Sequence, residues 1–112
     1  MKFLLNTAVG LFMILCFCLP ARAETFSHNL LIILDASGSM KGTIQGRAKM
    51  NIANRALVDL CKKLAEKEGL GLAVRVYGHQ SDKQKKDCKD SKLELGFERP
   101  NLAKIKNLLD RI

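Results

Sequence analysis

Residues 30–40 read Leu30-Leu31-Ile32-Ile33-Leu34-Asp35-Ala36-Ser37-Gly38-Ser39-Met40. Five aliphatic residues come first, with no polar residue between them. Such a run suits a strand buried on both faces, as in a parallel sheet covered by helices. Oxygen-bearing side chains then fall at alternate positions: the carboxylate of Asp35 and the hydroxyls of Ser37 and Ser39. In a chain leaving a strand, alternate residues can project towards one point, and Gly38 lets the backbone curl between the two serines. Hard oxygen donors of this kind suit Mg²⁺, Mn²⁺ or Ca²⁺. A lone Asp-x-Ser would be an ordinary polar turn. The full Asp-x-Ser-Gly-Ser-Met string, between a buried strand and a helix, is far more specific.

Downstream, Asp35 to Gly46 carries three glycines and reads as a loop. Arg47 to Glu68 reads as an amphipathic helix, with Met50, Ala53, Leu57, Leu60, Cys61 and Leu64 on one face. Leu72 to Tyr77 is the second strand, with Leu72, Val74 and Val76 sharing a face and Arg75 on the wetter one. A polar loop, Gly78 to Ser91, precedes a third strand in which Leu93, Leu95 and Phe97 alternate. A loop alone joins these two strands, so the third is expected antiparallel at an edge. Pro100 is expected to open a last helix with Leu102, Ile105, Leu108, Leu109 and Ile112 as its apolar stripe. The predicted fold class is α/β: a partial doubly wound, Rossmann-like sheet with a βαβ start, three strands and two helices, the C-terminal half of the domain missing. Ligands in such sheets bind at the carboxyl ends of strands, which is where the loop after Leu34 lies. The first strand should also keep one unpaired edge, an invitation to an edge-strand dimer.

Upstream, residues 1–23 have the form of a secretory signal peptide. Lys2 precedes an apolar stretch from Phe3 to Leu19, Pro20 breaks it, and Ala21-Arg22-Ala23 offers the small-x-small cleavage pattern. Cleavage is expected between Ala23 and Glu24, leaving residues 24–112 as one domain and no stable membrane span. The protein is thus expected to be exported, to the periplasm or outside the cell. Removing Lys2 and Arg22 takes the net charge from +8 to +6. The remaining basic residues lack interleaved aromatics, so they read as a solvated surface and not as a nucleic-acid site. Cys61 and Cys88 would meet an oxidising compartment and could form a disulfide; equally, Cys61 could be a core residue, since it sits on the apolar helix face.

The stretch Ile32 to Met40, together with Val74-Arg75-Val76-Tyr77-Gly78-His79 and Cys88-Lys89-Asp90-Ser91, resembles the von Willebrand factor A family, particularly its bacterial exported members. The resemblance covers Asn29 to Ile112, read as the N-terminal portion of such a domain. It implies a metal-ion-dependent adhesion site. Ser37 and Ser39 would bind the cation through their hydroxyls, and Asp35 would act mainly through a metal-bound water. A protein partner would complete the coordination with an acidic side chain. The family takes a threonine and usually an aspartate from two later loops, which have no counterpart before Ile112.

Catalysis is not expected. Neither serine is centred in Gly-x-Ser-x-Gly or followed three residues on by lysine. His79 stands alone in its loop without zinc spacing around it. Two functions follow from the sequence: an exported, cation-dependent protein-binding module, or a truncated, non-functional fragment of one that does not hold metal stably.

Overall fold

The computed structural model describes residues 24–81 and 87–112. The expected leader, with Ala23 at its cleavage boundary, lies outside them. The described chain is mixed α/β. Strand β1 (His28–Asp35) leads through a 3-10 turn (Gly38–Lys41) and a small hairpin, β2 (Thr43–Ile44) and β3 (Arg47–Ala48), into helix α1 (Lys49–Leu64). Strand β4 (Leu70–Tyr77), strand β5 (Ser91–Glu98) and helix α2 (Leu102–Leu109) follow.

The main sheet has the order β1-β4-β5. β1 pairs parallel with β4, from His28 opposite Leu70 to Asp35 opposite Tyr77, and β5 pairs antiparallel with β4 as expected. β1-α1-β4 is therefore the expected βαβ crossover. It brings the carboxyl ends of both parallel strands to the same end of the sheet.

One core holds the elements together. Leu34, Leu72, Val74 and Val76 from the sheet meet Leu57 and Cys61 of α1 and Ile105, Leu108 and Leu109 of α2. Fully burying each aliphatic side chain contributes about 1.5–3 kcal/mol. The stripe expected for the last helix is all present there, with Leu102 and Ile112 at its margin. Both helices feed this single cluster on one face of the sheet; on the other face, among the described residues, Phe26 packs over Gly71 and no helix lies there. The two-sided covering of a doubly wound sheet does not occur in them, and the continuous apolar run of β1 is not buried on both faces. Ile33 is 62% exposed and Leu31 44%.

Other boundaries also depart from the sequence reading. The stretch before α1 is a hairpin and not a plain loop. Gln45 and Gly46 both take positive φ, 50° and 75°, the backbone of the tight turn whose twist matches paired strands. The hairpin uses Arg47 and Ala48, so α1 starts at Lys49, whose N–H donates to the Gly42 carbonyl (2.9 Å). The helix ends at Leu64 and not at Glu68, and Leu60, expected on the core face, is 40% exposed. Pro100 precedes α2 without opening it: Asn101 is the N-cap, its side chain accepting the Lys104 N–H at 3.1 Å. In β5 two register shifts break the simple alternation. Leu95 stands opposite Val74 at the core, whereas Leu93 stands opposite Arg75 and is 44% exposed.

Candidate cation site

The loop after β1 gathers its oxygens as the spacing suggests. The Ser37 N–H donates to Asp35 Oδ1 at 2.8 Å, closing a turn between them. The hydroxyls of Ser37 and Ser39 lie 3.1 Å apart. The 3-10 turn that starts at Gly38 brings the second hydroxyl round; in extended backbone it would stand further off. Partial burial pushes the Asp35 carboxyl up. Hydrogen bonds from the Ser37 hydroxyl, the Ser37 N–H and the Tyr77 hydroxyl outweigh this and hold it below its ordinary value, so it is a carboxylate at neutral pH.

A second loop backs the first. The Ala36 N–H donates to the Tyr77 carbonyl at 2.9 Å, extending the parallel ladder one residue past the strands. Gly78 follows with φ of 76° and presses directly against Ser37. His79 Nε2 lies 3.0 Å from Glu94 Oε1, and Lys92 Nζ reaches the same oxygen at 3.0 Å. Lys92, then His79, hold the Glu94 carboxyl below its ordinary value against the opposing effect of partial burial. His79 Nδ1 is buried without a hydrogen-bond partner. Asp90 is buried, and its carboxylate accepts from the Gln80 and Ser81 N–H groups.

Asp35, Ser37 and Ser39 are thus brought together at the carboxyl end of the sheet. Two ligands at right angles on Mg²⁺, each at 2.0–2.1 Å, would lie about 3 Å apart, close to the hydroxyl spacing seen here. The donors fit a hard cation in type and spacing. Among the described residues no three His, Cys, Asp or Glu side chains gather as a metal site, so the cluster depends on hydroxyls and one carboxylate.

Cys61 and Cys88 are not brought together. Cys61 is fully buried in the core, where burial pushes its thiol up, and Cys88 is exposed in the turn before β5. No disulfide joins them, and Cys61 takes the core position that was its alternative reading. Among the described residues no helix is long and apolar enough to cross a membrane.

Glu94 is not singled out by the sequence, and Asp90 enters only within the stretch Cys88-Lys89-Asp90-Ser91, with no role of its own. Glu94 stands in a strand whose bulge turns it towards His79, and no local pattern announces a bulge. Asp90 had a weak signal, as an acidic residue directly before a strand, but it stood in a loop full of alternating charge. The chain matches no protein-family model and no curated protein.

Proposed function

We propose that this chain is an exported, cation-dependent protein-binding module of the von Willebrand factor A type, without catalysis. The observation that carries the reading is the convergence of Asp35, Ser37 and Ser39, with the two hydroxyls 3.1 Å apart, at the carboxyl end of β1. Ser37 and Ser39 would hold Mg²⁺, Mn²⁺ or Ca²⁺, and the Asp35 carboxylate would supply the charge. The cation would offer an open position to an acidic side chain of a partner protein. A chain of net charge +6 after loss of Lys2 and Arg22 with the leader suits such a partner electrostatically.

The engagements of the candidate groups favour binding over hydrolysis. The two serines hydrogen-bond each other, while His28 meets Ser27 and His79 meets Glu94. A hydroxyl nucleophile needs a base within reach, and neither histidine hydrogen-bonds to Ser37 or Ser39. Export rests on the leader-like residues 1–23; N-terminal sequencing of exported protein should start at Glu24, and a mature chain starting at Met1 would remove that part of the proposal.

The small donor set favours a second reading, in which the cation is not held stably. Three side-chain oxygens leave water to fill about half of an octahedral shell. Calorimetry with Mn²⁺ and Mg²⁺ separates the two. Weak uptake abolished by Asp35→Ala supports the binding module. Equal uptake by the variant would place the cation elsewhere, and no uptake by either would favour the second reading.

A further inference from the structure

We infer that Gly78 and Asp90 are positioning residues for the Asp35–Ser37–Ser39 cluster: the turn after β4 is a brace that sets where Ser37 stands. The inference rests on the reading of that cluster as a cation site and names two residues outside it on which its geometry depends.

The contact between the loops is backbone against backbone. A side chain at position 78 would put its Cβ 2.7 Å from Ser37 Cα, 2.8 Å from Ser37 Cβ and 2.9 Å from Ser37 N. Real Cβ atoms do not approach that closely, and none of the three atoms is the movable end of a flexible side chain. Gly78 also has φ of 76°, which side-chain-bearing residues rarely adopt. Ser37 is the middle ligand. Its N–H holds Asp35 and its hydroxyl holds Ser39, so a shift of Ser37 disturbs both partners.

Gly78 is itself held from behind. Its N–H donates to the Asp90 carbonyl at 3.0 Å. The Asp90 carboxylate accepts the Gln80 N–H on both oxygens, at 3.2 and 3.0 Å, and the Ser81 N–H at 2.8 Å. Asp90 therefore grips residues 78–81 from both ends, and it is the one buried charged residue among those described. Burying a carboxylate is costly unless its oxygens are satisfied. These oxygens are satisfied by the turn that presses on Ser37. His79, within the same turn, is tied to β5 through Glu94.

The test uses the full chain and two readouts. In metal-free protein, amide exchange by NMR should show the Ser37 N–H exchanging about tenfold faster in Gly78→Ala and several-fold faster in Asp90→Asn, with Leu34 and Val74 unchanged. Asparagine keeps the size of Asp90 but turns one acceptor into a donor facing N–H groups. In Mn²⁺ calorimetry on the wild type, Asp35→Ala and both brace variants, affinity should fall about tenfold for Gly78→Ala and less for Asp90→Asn. Unchanged Ser37 exchange in both variants overturns the brace, whether or not the wild type takes up Mn²⁺. Exchange that rises equally at Ser37, Leu34 and Val74 in both variants assigns the two residues to general stability and also overturns it. Faster Ser37 exchange in a chain that binds no Mn²⁺ keeps the brace and removes the cation reading. Mn²⁺ uptake lost in Asp35→Ala but intact in both brace variants keeps the cation reading and removes the brace.

Discussion

β1 and β4 are eight-residue strands, hydrogen-bonded side by side along their whole length, and both are rich in aliphatic residues. Yet β4 is buried at Gly71, Leu72, Ala73, Val74 and Val76, whereas β1 is buried only at Leu34. Hydrophobicity does not make the difference, since Leu30 to Leu34 is the more apolar run. Position does. β4 has a strand on each side and both helices over one face; among the described residues β1 has a neighbour on one side only. On the face without helices, Ala73 of β4 is fully buried and Gly71 lies under Phe26, while Ile33 of β1 stands out. An apolar pattern shows what a strand is able to bury; the neighbours that arrive decide what is buried.

The sharpest way to break this comparison is to cut side chains from the two faces of the sheet. Leu108→Ala, beneath the covered face, should cost about 2–5 kcal/mol, because the cavity it leaves is enclosed by β4 and α1. Ile33→Ala, on the face without helices, removes a side chain that is mostly in water and should cost no more than about 0.5 kcal/mol. Urea unfolding of the two variants measures both. Equal losses would mean that Ile33 is covered in solution.

The same comparison separates what was legible in the sequence from what was not. The helix faces and the β-α-β order are periodic features, and periodicity survives folding: Leu57, Cys61, Ile105, Leu108 and Leu109 all reach the core. Asp35, Ser37 and Ser39 were legible for a similar reason, since their spacing is local and the turn that gathers them is only a few residues long. The illegible parts depend on neighbours distant in sequence. β5 loses its alternation because it must bulge to follow β4, which puts Leu93 and Leu95 on different faces. The hairpin turn at Gln45-Gly46 lacks the usual Asn or Asp and so gave little signal. The role of Asp90 depends on a turn ten residues away and on a loop beyond that.

A second prediction concerns the free edge of β1. In a parallel pair, alternate residues point their N–H groups towards the partner strand. His28 donates to the Gly69 carbonyl and Ala36 to the Tyr77 carbonyl, so the even-numbered residues between them face β4. The N–H groups of Asn29, Leu31, Ile33 and Asp35 then face outward, where no other strand of the sheet lies among the described residues. Amide exchange should alternate along β1, slow at Leu30, Ile32 and Leu34 and fast at Leu31 and Ile33, while β4 between two strands is protected throughout. An edge of this kind can pair with a second copy. If it does, Leu31 and Ile33 should become protected as protein concentration rises, and Ile33→Lys should reverse both that protection and any growth in sedimentation mass. Uniform protection of β1 at every concentration would show that the edge is already covered.

The smallest expected effect lies where the two strands end, at the facing pair Asp35 and Tyr77. The edge strand contributes the carboxylate and the central strand the phenol, and one hydrogen bond moves their titrations in opposite directions. The Asp35 carboxyl is held down, with burial opposing and the Ser37 and Tyr77 bonds prevailing. The Tyr77 hydroxyl is pushed up, first by its bond to Asp35, then by burial and the nearby negative charge. The signs follow from linkage. A depressed acid adds stability that is complete above its unfolded value, 3.8 for Asp35, and is lost as pH falls through the lower folded value. A raised phenol adds stability that is complete below its unfolded value, 10.0 for Tyr77, and is lost as pH rises through the higher folded value. Their contact should therefore contribute a plateau of stability between about pH 4 and pH 10, with a shallow decline at each end. Cys61, whose thiol is raised by burial from 9.0, loses stability in the same alkaline direction. Tyr77→Phe keeps the ring and removes the hydroxyl, so it should soften the alkaline decline without abolishing it, Cys61 supplying the remainder. It should also let the Asp35 carboxyl titrate higher by NMR, though not to its ordinary value, because the two bonds from Ser37 persist. An Asp35 titration unmoved by Tyr77→Phe would show that the two strand ends are uncoupled and that Ser37 alone holds the carboxylate.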